Sequence, residues 1–246
     1  MTAIHPPPPL TYSLLARALS TPRLAAYSRE DDRDSVDAIA RYLWNMSVGG
    51  AIWPTVHLLE VAVRNVLFEV GQERTKGRVL TFGPVGSWLD AGLLMPKEQA
   101  EVNEAIKRLG AGRRTPGHLI AELTLGFWVR VCNSPYEQGD ANRPRLWPSA
   151  AFRFQYAPRR ERNREDIRKT LDNAKDIRNR IAHHHPLWYR NPVRMHEDLL
   201  KPLGWLYPEM ADAARTTSAV RELVKAGPVP YRALAESLTT ASARLA

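Results

Sequence analysis

The residues best equipped for chemistry lie in one short run, R-N-R-I-A-H-H-H-P, from Arg178 to Pro186. Arginine stays charged and can hold two oxygens of an anion at once. Histidine, whose unperturbed side chain titrates near neutrality, can give or take a proton. Arg178, Asn179 and His183 therefore form a candidate site, with His184 and His185 as second choices for the proton-transfer group. Structural alternatives stand beside these roles: Arg178 as a member of a buried ion pair, and His183 as a cation favoured by the dipole at a helix C-terminus. Three consecutive histidines also invite a metal, but neighbouring side chains on a helix diverge and no carboxylates are obviously placed to help. The expectation is neither metal nor cofactor.

The element carrying this run reads as a long helix from about Arg159 to His184, stopped by Pro186. At helical spacing Ile167, Leu171, Ala174 and Ile181 form an apolar stripe, and Arg178 falls inside it. Asp172, Asp176, Asn179 and His183 gather on a different face. On an ideal helix Arg178 and His183 are about 140° apart, so they converge only if the helix frays or bends before Pro186. His185, preceding a proline, is biased away from helical angles.

A second helix, from about Thr55 to Gln72, is apolar nearly all round and should be central to the core. His57, Glu60 and Arg64 lie along one of its faces, with Asn65 next to Arg64. A buried carboxylate and guanidinium are tolerated only when paired. Glu60 and Arg64 thus either pair with each other or line a cleft, and Glu60 is also a candidate partner for Arg178. Glu60, Arg64, Asn65 and His184 are supporting candidates.

Around these helices, Pro6 to Pro9 form a stiff leader, and Leu10 to Tyr27 suggests a short helix interrupted at Thr21-Pro22. A helix from Ser35, with Asp34 or Ser35 as N-cap, should be punctuated by Gly49-Gly50 and Pro54. Gly83 to Pro96 is turn-rich. Further helices are expected over Pro96 to Leu109, from Thr115-Pro116 through Val131, and over about Pro192 to Ala214. Alternating strand patterns are almost absent, which points to an all-α chain. The expected organisation is a leader over 1–34, a main domain over 35–214 and a helical extension over 215–246.

The chain of 246 residues is 44% hydrophobic and 25% charged, an ordinary globular composition. Its net charge of +9 favours a polyanionic partner, nucleic acid first, although simple solubility is the plainer account. The single cysteine, Cys132, excludes an internal disulfide framework and a cysteine zinc site, and its apolar setting reads as core. No stretch reads as a membrane span, and the start lacks a signal-peptide pattern, so the cytoplasm is the expected compartment.

Arg178 to Pro186 resembles the signature of HEPN ribonucleases: an arginine, a polar residue, a few more residues, then a histidine. Y-L-W-N (Tyr42 to Asn45), L-L-E-V-A-V-R-N (Leu58 to Asn65) and L-T-L-G-F-W-V-R (Leu123 to Arg130) sharpen the resemblance to the Abi-like, abortive-infection branch, over about residues 10 to 210. Spacing alone does not select the site, since Arg113/His118 and Arg180/His185 have the same separation and Arg190/His196 nearly so. The resemblance implies a HEPN-like helical bundle with additional N- and C-terminal helices. It further implies metal-independent cleavage of RNA by a toxin of an anti-phage or toxin–antitoxin system, a homodimer with facing motifs, and possible control by an antitoxin. In that chemistry His183 is the general acid or base, Arg178 acts on the scissile phosphate and Asn179 orients one or the other. A non-catalytic HEPN-type module that binds RNA or a partner is the alternative. A DNA-binding protein is a further one, without a recognisable motif behind it. Trp188, Tyr189, Trp205 and Tyr207 read mainly as core and secondarily as base-stacking residues.

Overall fold

A computed structural model describes residues 18–30, 32, 35–139 and 144–243. Every regular element among them is helical. The α-helices are α1 (Thr21–Ala25), α2 (Ser35–Thr75), α3 (Pro96–Arg108), α4 (Pro116–Glu122), α5 (Leu125–Val131), α6 (Pro135–Gln138), α7 (Ser149–Arg153), α8 (Arg164–Ala182), α9 (Pro192–Leu206), α10 (Pro208–Thr217), α11 (Val220–Ala226) and α12 (Arg232–Ala243). The protein is all-α, as its periodicity indicates. The proline leader and the Asp34 cap lie outside the described residues.

Several boundaries differ from expectation for identifiable reasons. Pro22 occupies the first turn of α1, where its missing N–H costs nothing, so Thr21-Pro22 opens a helix instead of interrupting one. Gly49-Gly50 and Pro54 do not divide the next segment, because α2 runs unbroken for 41 residues. Pro54 leaves the Gly50 carbonyl without its helical donor, and the proline ring crowds that same carbonyl. Gly50 has open space where a Cβ would stand, and the Ser218 hydroxyl donates to the neighbouring Ala51 carbonyl at 3.4 Å. The segment expected as one helix to Val131 is two, α4 and α5, capped by the hydroxyls of Thr115 and Thr124. Pro208 likewise separates α9 from α10, since the residue before a proline avoids helical angles. At the start of α8, Asn163 Oδ1 accepts the Asp166 N–H at 3.0 Å and caps the helix.

The continuity of α2 also bears on the expectation about membrane spans. By length and composition it is the one helix, among the described residues, long and apolar enough to cross a bilayer. Many of its apolar side chains are core residues all the same: Val48, Ile52, Leu59, Val63 and Leu67 are fully buried, while Met46 and Trp53 are exposed.

The chain forms two compact units that interleave in sequence. The first contains the described residues through Trp53, then Arg180–His196, then those from Ser218 onward. Its core gathers Leu24, Val36, Ile39, Ala40 and Ala235, with Leu19, Tyr42, Leu43 and Tyr231 packed against it. The C-terminal helices belong to this core. Ala235 of α12 is fully buried, Trp44 Nε1 donates to the Leu223 carbonyl at 2.7 Å, and Arg232 pairs with Asp37.

The second unit is Pro54–Asn179 with Glu197–Thr217. Its buried aromatic side chains include Trp88, Phe127, Trp128, Tyr136, Trp147 and Phe154. Trp88 lies against Gly71 of α2 and donates to the Phe68 carbonyl at 3.1 Å. Asp90 fixes the preceding turn by accepting the N–H groups of Val85 at 2.7 Å and Ser87 at 2.9 Å. Buried Glu98 accepts from Arg130 Nε at 2.8 Å and from the Tyr136 hydroxyl at 3.2 Å, a pairing that makes its burial tolerable. Cys132 is fully buried, and burial pushes its thiol up to about 12, which leaves it protonated and inert.

Two glycines of α2 should respond oppositely to alanine. A Cβ at Gly71 would stand 2.1 Å from the Trp88 ring, so Gly71→Ala should cost about 2 kcal/mol despite its better helix propensity. Gly50→Ala meets nothing within 4 Å and should gain about 0.5–1 kcal/mol. Urea unfolding of both variants beside wild type checks the pair.

Candidate functional site

Arg178 sits in the penultimate turn of α8, half-buried, with Nε 3.8 Å from Glu60 Oε2. Glu60, also half-buried on α2, accepts the Leu125 N–H through Oε1 at 2.9 Å. Leu125 is the first residue of α5, so this carboxylate faces the positive end of that helix as well as a guanidinium. Of the two pairings open to Glu60, the observed one is with Arg178, not with Arg64 four residues along. Arg64 and Asn65 are half-buried, and the Arg64 Nε has no hydrogen-bond partner among the described residues. His57 is exposed.

The apolar face of α8 is Ile167, Leu171, Ala174 and Ile177. Ile177 replaces Ile181, which is only half-buried, because α8 ends one residue after it. Asp172 and Asp176 are taken up by Lys175, at 2.5 and 3.5 Å, and these contacts raise the lysine pKa. They are surface partners rather than a carboxylate supply for the site. Asn179 is half-buried beside Arg178. The boundary between the compact units falls after Asn179, so Arg178 and Asn179 belong to the second unit and His183 to the first.

Within the first unit, the three histidines form the C-terminal cap of α8. His184 has a φ of 55°, in the left-handed region that glycine ordinarily occupies at this position. The His184 N–H donates to the Ile181 carbonyl at 2.9 Å and the His185 N–H to the Arg180 carbonyl at 2.8 Å. This pair of bonds is a Schellman motif with His183 as C-cap. All three histidines are exposed, and the rings of His183 and His185 stand 6.1 Å apart. Among the described residues no group of three His, Cys, Asp or Glu side chains converges to hold a metal ion.

Beyond the cap, residues 184 to 188 are pinned at nearly every step. Arg23 donates to the His184 carbonyl at 3.2 Å, and Arg180 to the Pro186 carbonyl at 3.3 Å. Buried Asn45 accepts the Leu187 N–H at 2.6 Å. Trp188 donates to the Ala26 carbonyl at 3.2 Å, and Arg29 and Arg41 lie 5.9 and 5.6 Å from its ring centre. Arg41 is in turn paired with Asp32 at 2.5 Å and donates to the Tyr27 carbonyl. Burial pushes Asp32 up, but the Arg41 hydrogen bond and the Arg29 N–H outweigh it and hold the carboxyl below its ordinary value. Burial, with Tyr42 nearby, raises Tyr27 to about 12.

No family model, curated protein or solved structure matches the chain. The site stands on its own geometry.

Sequence reasoning did not find Arg41 or the anchoring role of Asn45, and it named Trp188 without the cations that flank it. Of the two residues missed, Asn45 left a signal, as a polar residue on an otherwise apolar helix face. The aromatic candidates divide: Trp205 is core, Trp188 half-buried, Tyr189 and Tyr207 exposed. The competing Arg113/His118 pair is a loop-to-helix junction, where His118 bonds the Thr115 cap through Nδ1 at 2.8 Å.

Two consequences are measurable. Replacing a non-glycine residue in the left-handed region relieves about 1 kcal/mol, so His184→Gly should raise the melting temperature. The Asp32–Arg41 pair has a sign in pH. A carboxyl depressed in the folded state stabilises above its unfolded pKa, and that stabilisation is lost as pH falls through the folded value. Asp32→Asn should therefore melt lower than wild type at neutral pH, and the gap should close as the medium is acidified.

Proposed function

We propose that the protein is a metal-independent RNA endonuclease of the HEPN kind, in its Abi-like branch. It would serve as the toxin of an anti-phage abortive-infection or toxin–antitoxin system in the cytoplasm. The observation that carries the reading is Arg178, an arginine held on a packed helix face by Glu60, in the same short run as exposed histidines at the helix end. The Arg178-to-Pro186 run and its companion segments along the chain support it, as does the net charge of +9.

RNA brings its own nucleophile, the 2′-hydroxyl. His183 takes the 2′-hydroxyl proton or protonates the leaving 5′-oxygen. Arg178 opposes the charge that grows on the phosphorane, and Asn179 orients one of the two. The 2′-oxygen forms a bond to phosphorus as the bond to the 5′-oxygen breaks, leaving a 2′,3′-cyclic phosphate and a 5′-hydroxyl. One proton-transfer histidine per chain makes a second copy the natural source of the other, so the reading includes a twofold homodimer. An antitoxin of protein or RNA would restrain the activity. Glu60 beside Arg178 favours a second reading, because a guanidinium already answered by a carboxylate suits a non-catalytic module that binds RNA or a partner.

Incubation of the purified protein with total RNA and with tRNA in EDTA tests both. Cleavage should proceed and leave cyclic phosphate ends, and a strict need for a divalent ion would overturn the mechanism. His183→Ala should abolish cleavage while melting within a few degrees of wild type, since the side chain is exposed. Arg178→Ala should be equally inactive and less stable, because Glu60 loses its counter-charge. A folded His183→Ala protein that cleaves at the wild-type rate would sink the assignment.

A further inference from the structure

Residues 180 to 196 contain three arginines, four histidines and no Asp or Glu. Within this acid-free strip Tyr189 is 55% exposed, yet it is not loose. Arg180 donates to its hydroxyl at 2.8 Å and lies 5.8 Å from its ring centre. The Trp188 ring meets it edge-on, at 5.6 Å and 90°. Trp188 is itself fixed by its hydrogen bond to the Ala26 carbonyl and by the cations of Arg29 and Arg41. The ring is thus fixed in place while about half of its surface faces water. The next residue, Arg190, is exposed and forms no ion pair among the described residues.

We infer that Tyr189 is a stacking platform for a base of single-stranded RNA, with Arg190 positioned for the adjoining phosphate. The inference rests on the ribonuclease reading for the identity of the polymer and deepens it by naming where the strand is held. Three features favour a polynucleotide over a protein surface. An aromatic face accepts any base, the charges within residues 180 to 196 are all of one sign, and pre-fixing the ring removes the entropy that stacking would otherwise cost. The platform lies in the same unit as the His183–His185 turn, separated from it by the pinned stretch 186–188.

The test is equilibrium binding of a short 2′-O-methyl RNA, which offers bases and phosphates but no nucleophile. A base-free sulfated polyanion and an RNA duplex serve as controls. Tyr189→Ala should weaken binding of the single strand about tenfold, while Tyr189→Phe keeps most of it. The base-free polyanion should bind both variants as it binds wild type. Arg190→Ala should weaken the single strand and lower the slope of affinity against salt by about one ion. An unchanged affinity in Tyr189→Ala overturns the proposal. So does an equal loss towards the base-free polyanion or the duplex, or a wild-type protein that binds no single strand. Sedimentation in which Tyr189→Ala alone breaks up a dimer would reassign the ring to self-association and overturn it equally. A melt of Tyr189→Ala, with Tyr189→Phe as the folded reference, keeps misfolding from passing as lost stacking. Stacking-dependent binding without cleavage would sink the nuclease reading alone. Cleavage in EDTA with binding indifferent to Tyr189 would sink the platform alone.

Discussion

A helix cannot satisfy the carbonyls of its own last turn, and the end of α8 is built around that constraint. The Schellman bonds from His184 and His185 answer two of these carbonyls, and they require a left-handed histidine to do so. Once the chain has turned, its backbone needs partners again. Arg23, Arg180 and Asn45 supply them over His184, Pro186 and Leu187. The placement of the exposed histidines comes from these bonds rather than from any packing of the histidines themselves. Asn45 matters most here, because its acceptor is buried and the N–H it meets would otherwise be desolvated without a partner.

The candidate chemistry is thus supported in two different ways. Arg178 is held by charge, in half-burial, against a carboxylate that also faces a helix N-terminus. The histidines are held by backbone geometry and stay open to solvent. An anion-stabilising group benefits from the first environment, where water competes less. A proton-transfer group benefits from the second, where protons exchange freely. The division of labour is what the proposed reaction would ask of these two residue types.

The buried ions Arg41 and Glu98 follow one rule. Arg41 with Asp32 and Glu98 with Arg130 and Tyr136 are each matched at close range. Removing one partner would leave the other ion desolvated and uncompensated, and matched pairs specify which elements meet. Arg41 shows how far such a pair reaches, since the same guanidinium sits near the Trp188 ring that backs Tyr189.

Residue spacing by itself determined that the chain is helical, that the second half of α2 is a core element and that α8 ends before Pro186. These are consequences of local periodicity and of proline's missing N–H, which need no knowledge of neighbours. It also named Glu60 as a possible partner for Arg178, because a carboxylate on an apolar face must find a cation. Only tertiary structure decided between Arg64 and Arg178, since both lie within a side chain's reach of the right kind and sequence distance is silent on which approaches. Only tertiary structure carried α2 through Gly49-Gly50 and Pro54, where burial of Val48, Ile52 and Leu59 outweighs weak helix formers. The same holds for the extension after Ser218. Its weak local pattern becomes interpretable once Ala235 lies in a core with Leu24 and Ile39, residues far earlier in the chain and invisible to any local reading.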